Sequence, residues 1–244
     1  MSTLVTVAEE RPVAPDLAGS KAVAREKLPL PVILINTFSF ALAFAAWVAF
    51  GPSIRFISQE MGLSLQVATL IKTLPILVGS AMRLPLGIAS DRIGARVVFP
   101  LVLLTASLGM YAGSLSRTAS QFYLFALVIG MAGTTFIVGV QSVSSWTAKN
   151  QQGFALGIFG TGNVGTALTT FGLPLLLSAL GWRGAFRVYA CVLCATAVAY
   201  ALLIRNAPRT GASPSMGALL APLKKLRTWR FGLYYMATFG AATI

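Results

Sequence analysis

The chain has 244 residues, 56% of them hydrophobic and only 10% charged, with a mean hydropathy of +0.78 and a formal net charge of +13. A soluble domain carries about 25% charged residues, so this composition excludes an ordinary soluble fold and predicts a membrane protein. Histidine is absent and no acidic residue follows Asp91, which removes Ser-His-Asp chemistry, His-rich zinc sites and paired-carboxylate hydrolysis.

No enzymatic step, metal or organic cofactor is therefore expected. The basic residues stand between apolar runs rather than along one face, so nucleic acid is not an expected partner. Residues 1–28 are polar, mixed in charge and lack the parts of a signal peptide. They read as a disordered cytoplasmic tail. Six apolar segments follow, at about 29–50, 64–90, 97–116, 120–147, 153–180 and 184–206. Each can cross a hydrocarbon core ~30 Å thick as a helix, the form that satisfies its own backbone in lipid. The expected fold class is all-α, a polytopic membrane protein with a six-helix domain at 29–206. Cys191 and Cys194, in a CVLC spacing on one of these helices, read as small packing residues.

A basic cytoplasmic linker is expected at 207–228, and residues 229–244 open a seventh apolar run that ends inside a helix. That end reads as truncation of a longer protein. Orientation follows from Lys and Arg. With the tail inside, thirteen fall on the inner side, at Arg11, Lys21, Arg25, Lys27, Arg92, Arg96, Lys149, Arg205, Arg209, Lys224, Lys225, Arg227 and Arg230. Only Arg55, Arg117, Arg183 and Arg187 fall outside. The asymmetry obeys the positive-inside rule and places the amino terminus in the cytoplasm of a cell membrane.

Two cations remain within the second segment, Lys72 and Arg83. Arg83 lies eight residues before Asp91, hence ~12 Å into the bilayer, and Lys72 lies on nearly the same helix face ~16 Å away. A charge at that depth costs at least ~2.5–3.5 kcal/mol unless it is paired, and no segment supplies a carboxylate at that depth. Arg83 is either tied to backbone carbonyls in a packed bundle or faces a watery path and binds an anion. A guanidinium fork suits small planar oxyanions.

The pattern G-x-x-x-D-R-x-G-x-R, at Gly87, Asp91, Arg92, Gly94 and Arg96, resembles the loop between the second and third helices of the major facilitator superfamily. The resemblance implies that these residues help hold two half-transporters together and support gating. The RLPLG fragment, beginning at Arg83, resembles the second helix of nitrate/nitrite porters within that superfamily. It implies that Arg83 contacts the bound anion.

Residues 160–165 read GTGNVG, a literal G-x-G-x-x-G. A dinucleotide turn needs a preceding strand and a downstream acid; this copy has neither. Small residues at Gly153, Gly157, Gly160, Gly162 and Gly165 instead predict a helix surface for close packing, with Asn163 free to donate to a neighbour or an anion. The stretch also resembles the glycine-rich signature of the nitrate/nitrite porters. That resemblance implies a helix lining the substrate path, with the asparagine near the anion. In the seventh run, Tyr235 and Phe239 share a face and resemble the start of the family's seventh helix, where they would contact and confine the anion. Phe136 in the fourth segment would add a similar apolar wall.

The resemblance spans 29–244 and implies the first half of a twelve-helix alternating-access transporter for nitrate or nitrite, whose partners are that anion, the lipid bilayer and a missing C-terminal half. Two alternatives stay open: a transporter for another small anion such as a carboxylate, and a non-transporting membrane assembly or sensor subunit.

Overall fold

The computed structural model describes residues 28–208, 217 and 221–243, and every regular element among them is helical. Leu28 apart, the expected tail lies outside the described residues, as do residues 209–216 and 218–220 of the expected 207–228 linker. Helices α1 (Leu30–Val48) and α2 (Phe50–Met61) run on as one apolar span of 32 residues. The first segment, expected to end near residue 50 just before Gly51 and Pro52, thus runs on to Met61. Pro52 stands in the first turn of α2, where its missing N–H removes little. The span stops where Gly62 takes φ 63°.

The second span is α3 (Leu65–Ala81) followed by α4 (Arg83–Ile93), bent by 42° at their junction. Ser64 caps its start by accepting from the Val67 amide at 3.4 Å. Met82 N–H donates to Val78 O at 2.9 Å and Leu86 N–H to Met82 O at 3.1 Å, one on either side of the bend. Between them Pro85 has no N–H for the Ala81 carbonyl, and the axis turns there. A turn at Gly94, with φ 94°, leads into the third span, α5 (Ala95–Ser114).

The fourth span comprises α6 (Ala119–Gly130), a 3-10 turn (Met131–Thr134) and α7 (Thr135–Trp146). Then α8 (Gln152–Gly160), a second 3-10 turn (Thr161–Val164) and α9 (Gly165–Leu203) form a run of 52 residues. A straight helix of that length would reach ~78 Å, well over twice the hydrocarbon thickness. Gly181 interrupts it at φ 65°, ψ 174°, a backbone region essentially confined to glycine. Thr169 Oγ1 and Tyr189 OH, 20 residues apart in sequence, meet at 3.2 Å, so the chain folds back on itself there. The run is two spans, and the bundle has six, in the expected order. Last comes α10 (Leu226–Thr243), entered through a short 3-10 turn, Ala221–Lys224, whose Leu223 carbonyl accepts from Trp229 Nε1 at 2.9 Å.

The first span is central. Phe40, Phe44, Trp47 and Phe50 are buried along it, and a polar triad crosses the core beside them. Tyr200 OH donates to Asn36 Oδ1 at 2.9 Å and lies 3.4 Å from Ser142 Oγ, while its ring stacks on Phe99 with centroids 4.4 Å apart. At the end of the bundle opposite Asp91, Glu60 of α2 accepts from Arg183 Nε at 3.0 Å and Nη2 at 2.9 Å, and from the Trp182 indole. The same guanidinium donates to the Ser114 and Ser116 carbonyls at 2.9 and 2.8 Å. Three loops on that side are thereby tied together.

Candidate functional site

Three of the expected site residues stand at breaks in their helices. Arg83 follows the 42° bend, Phe136 follows the Met131–Thr134 turn, and Asn163 lies within the Thr161–Val164 turn. Counted from the ends of their spans at Asp91, Trp146 and Gln152, which share one side of the bundle, they lie ~12, ~15 and ~16 Å deep. Interrupted helices at one level near the midplane are the usual way membrane bundles present polar groups to a buried site.

Packing puts the three near one another. One turn outward of Arg83, Gly79 is so close to the fourth span that a Cβ there would stand 3.3 Å from Gly133 Cα; one turn inward, a Cβ on Gly87 would stand 3.4 Å from Ile137. Arg83 is therefore level with residues 133–137, Phe136 among them. Trp47 of α1 wedges into the same contact, its indole donating to the Pro75 carbonyl at 3.0 Å. Phe136 lies 5.5 Å from Phe40 and 5.9 Å from Phe159, ring to ring. Gly162, beside Asn163, presses on the Phe40 ring and would bring a Cβ within 2.9 Å of Thr37 O. Phe40 is thus the floor on which the fourth and fifth spans converge, and Trp47 of the same helix takes the second.

Arg83 is half-buried, and its Nε is buried with no hydrogen-bond partner. After residue 26 the chain's only carboxylates are Glu60 and Asp91, near opposite ends of the bundle. The reading in which backbone carbonyls satisfy Arg83 leaves this nitrogen unexplained. Asn163 is exposed and donates through Nδ2 to the Gly160 carbonyl at 3.0 Å, within its own turn, so its remaining amide hydrogen is available. The glycines divide. A Cβ on Gly165 would collide with the Ala41 carbonyl, whereas at Gly153, Gly157 and Gly160 it would meet nothing within 4 Å. The expected continuous packing surface is thus confined to Gly162 and Gly165, because, of these glycines, only those two press on α1; Gly160 makes no close approach. Tyr235 and Phe239 belong to α10, but their side chains lie outside the described residues.

The second-to-third turn is held from an element the sequence did not single out. Asn206, just beyond α9, accepts from Arg96 N–H at 3.0 Å and packs against the face of Gly94. Arg96 Nε reaches Ala201 O at 3.4 Å, and Trp146 Nε1 donates to Arg205 O at 3.2 Å. Arg92 lies in the last turn of α4, where a cation complements the helix dipole. Gly87 and Asp91, with Gln141, Ser144 and Ser145 of α7, line an open cleft of about 400 Å³. Ser90 Oγ donates to Gln141 Oε1 at 2.9 Å across its floor. Trp47, Phe40, Gln141 and Asn206 had no motif to mark them; their roles come from what packs on them.

Comparison with known proteins agrees with this geometry. The family model described as Major Facilitator Superfamily matches residues 37–244. A probable nitrate/nitrite antiporter, NarK1, from Thermus thermophilus is 39% identical over 228 residues, 87% of this chain and 51% of its own length. The probable nitrate/nitrite transporter NarK2 of Mycobacterium tuberculosis is 34% identical, covering 85% of this chain and 54% of its own. A nitrite extrusion protein of Bacillus subtilis is 28% identical over 85% and 52%. The chain spans about half the length of the curated relatives it matches.

Proposed function

Because this chain belongs to the major facilitator superfamily, a family of multi-pass membrane proteins, we propose that it forms the N-terminal half of a transporter for nitrate, nitrite or both. Alternating access rocks one half-bundle against another around a midplane site. The six spans here supply one half, and a C-terminal half completes it, with α10 as its first helix. The excess of Lys and Arg on the inner side puts the amino terminus in the cytoplasm and the bundle in the cell membrane. Printed names of the relatives point to the same anions.

One observation carries the reading: a guanidinium near mid-span whose buried Nε has no partner among the described residues. A planar oxyanion satisfies it through parallel charge-assisted N–H bonds. Asn163 adds a neutral donor, Phe136 the apolar wall, and Tyr235 and Phe239 close the site from the seventh helix. The dry aromatic floor lowers the local dielectric and strengthens the ion contact. Gly87, Asp91, Arg92, Gly94 and Arg96 form the inner hinge and gate between halves, and Gly160, Gly162 and Gly165 let the fifth span shift as the site opens. No bond is made or broken, so no cofactor is required.

The test is anion uptake into proteoliposomes holding a full-length transporter that contains this chain, against its Arg83→Ala variant. A charge-assisted bond is worth ~1.5–3 kcal/mol, so uptake at subsaturating nitrate should fall about 10- to 100-fold while elution profile and helicity are kept. Retained uptake and affinity would remove Arg83 from the site. A fork of N–H donors also fits carboxylates, which favours a second reading; formate displacing nitrate at equal concentration would select it.

A further inference from the structure

The second span has three faces, and one of them leads to Arg83 from outside. Its buried residues Ala68, Ile71, Pro75 and Gly79 face the bundle. At ~100° per residue, Thr69, Lys72, Thr73, Ser80 and Arg83 fall within an arc of ~100° beside that face. Ile76 is the one apolar residue among them between Thr69 and Arg83. The exposed leucines Leu70, Leu77 and Leu84 lie roughly 90° further round. A lipid-facing stripe of leucines and a polar stripe are thus separate, and both are open in this bundle: Thr69, Lys72 and Ser80 are exposed. Met82 and Leu86 keep their i→i−4 bonds on either side of the bend, so the stripe continues past it to Arg83 although Pro85 donates none.

Lys72 has a defined place on this stripe. Its stem crosses the first span at Gly51, Cε standing 3.9 Å from where a Cβ on that glycine would be. Arg55, exposed, is one turn further out on the same face of α2. The carboxylate at that end, Glu60, is held by Arg183 and Trp182. The Thr69 and Thr73 hydroxyls donate back to Leu65 O and Thr69 O, each at 2.8 Å. Lys72 is therefore the cation of the polar stripe outward of Arg83, with no described acid beside it.

We propose that Lys72 is an outer anion site, where a small oxyanion drawn in past Arg55 is held before it moves along the polar stripe to Arg83. The inference rests on the small-anion transport reading and adds a second station to it. Fixed charge lining a path raises local anion concentration and the capture rate, and salt weakens the effect.

Two measurements test it, in proteoliposomes of the full-length transporter. Lys72→Gln should raise KM for external nitrate about threefold or more, leave the maximal rate unchanged and flatten the dependence of uptake on ionic strength. Lys72→Arg should restore all three. In a Cys191→Ser, Cys194→Ser background, Lys72→Cys should react with a membrane-impermeant anionic thiol reagent, nitrate should slow that reaction, and Leu77→Cys should stay unlabelled. An unchanged KM and salt response in Lys72→Gln, a loss of maximal rate alone, or equal labelling at 72 and 77 would each overturn the outer site. Arg83→Ala separates the two readings: if it leaves nitrate affinity intact, the transport site itself is misplaced, whatever Lys72 does.

Discussion

Gly160, Gly162 and Gly165 are indistinguishable as letters in a small-residue pattern, yet they occupy different environments. Gly165 lies so close to α1 that a methyl would collide with the Ala41 carbonyl and stand 3.0 Å from Ala45 N, whereas at Gly160 it would find open space. Gly165→Ala should cost ~1–3 kcal/mol through overpacking and lower the thermal midpoint in detergent. Gly160→Ala should leave the midpoint unchanged or raise it, because alanine is the better helix former. Equal effects at both positions would contradict the packing. Spacing could announce the glycines, but only the path of the first span decides which are needed. Arg83 is the opposite case. Its charge, depth and lack of an acidic neighbour were all readable along the chain, and the structure adds only that its Nε stays unpaired.

At the scale of helices, the six spans were legible because apolar runs of bilayer length are hard to mistake. Their interruptions were not. Met131–Thr134 and Thr161–Val164 carry no proline, and glycine is common in membrane helices for other reasons; tertiary contact makes them tighten. The bend at Met82, by contrast, sits one turn before Pro85, whose ring and missing N–H act on the Ala81 carbonyl. Gly51-Pro52 looked like a stop and is not one, since proline in a first turn leaves the helix intact. Long-range braces such as Asn206 were equally hidden, 110 residues from the Arg96 amide that it accepts. Asn206→Ala removes that acceptor, worth ~0.5–1.5 kcal/mol, and leaves a gap beside Gly94. Trypsin should then cut after Arg92 or Arg96 faster than in the parent, with fragments read by mass spectrometry. Unchanged cleavage would mean that the Gly94 turn holds itself.

Across the whole molecule, charge is sorted by position. Beyond residue 26 the acids are Glu60 and Asp91 alone; the first is clamped by Arg183 at 2.9 Å, and the second lines the inner cleft. The interior cations thus face no carboxylate at their own depth within this half, and the membrane side with most Lys and Arg carries the Asp91 loop. The proposed topology can be measured. Asn150, in the turn after α7, and Ser120, in the first turn of α6, are exposed at opposite ends of the fourth span. In a Cys191→Ser, Cys194→Ser background, Ser120→Cys in intact cells should react with an impermeant thiol reagent, while Asn150→Cys should react only after the membrane is opened. The reverse pattern would invert the bundle and turn the Lys72 side of the polar stripe toward the cytoplasm. Labelling of both positions in intact cells would contradict the six-span order, because 120 and 150 are separated by a single crossing. The expected result leaves the stripe open to the outside, as capture of an external anion requires.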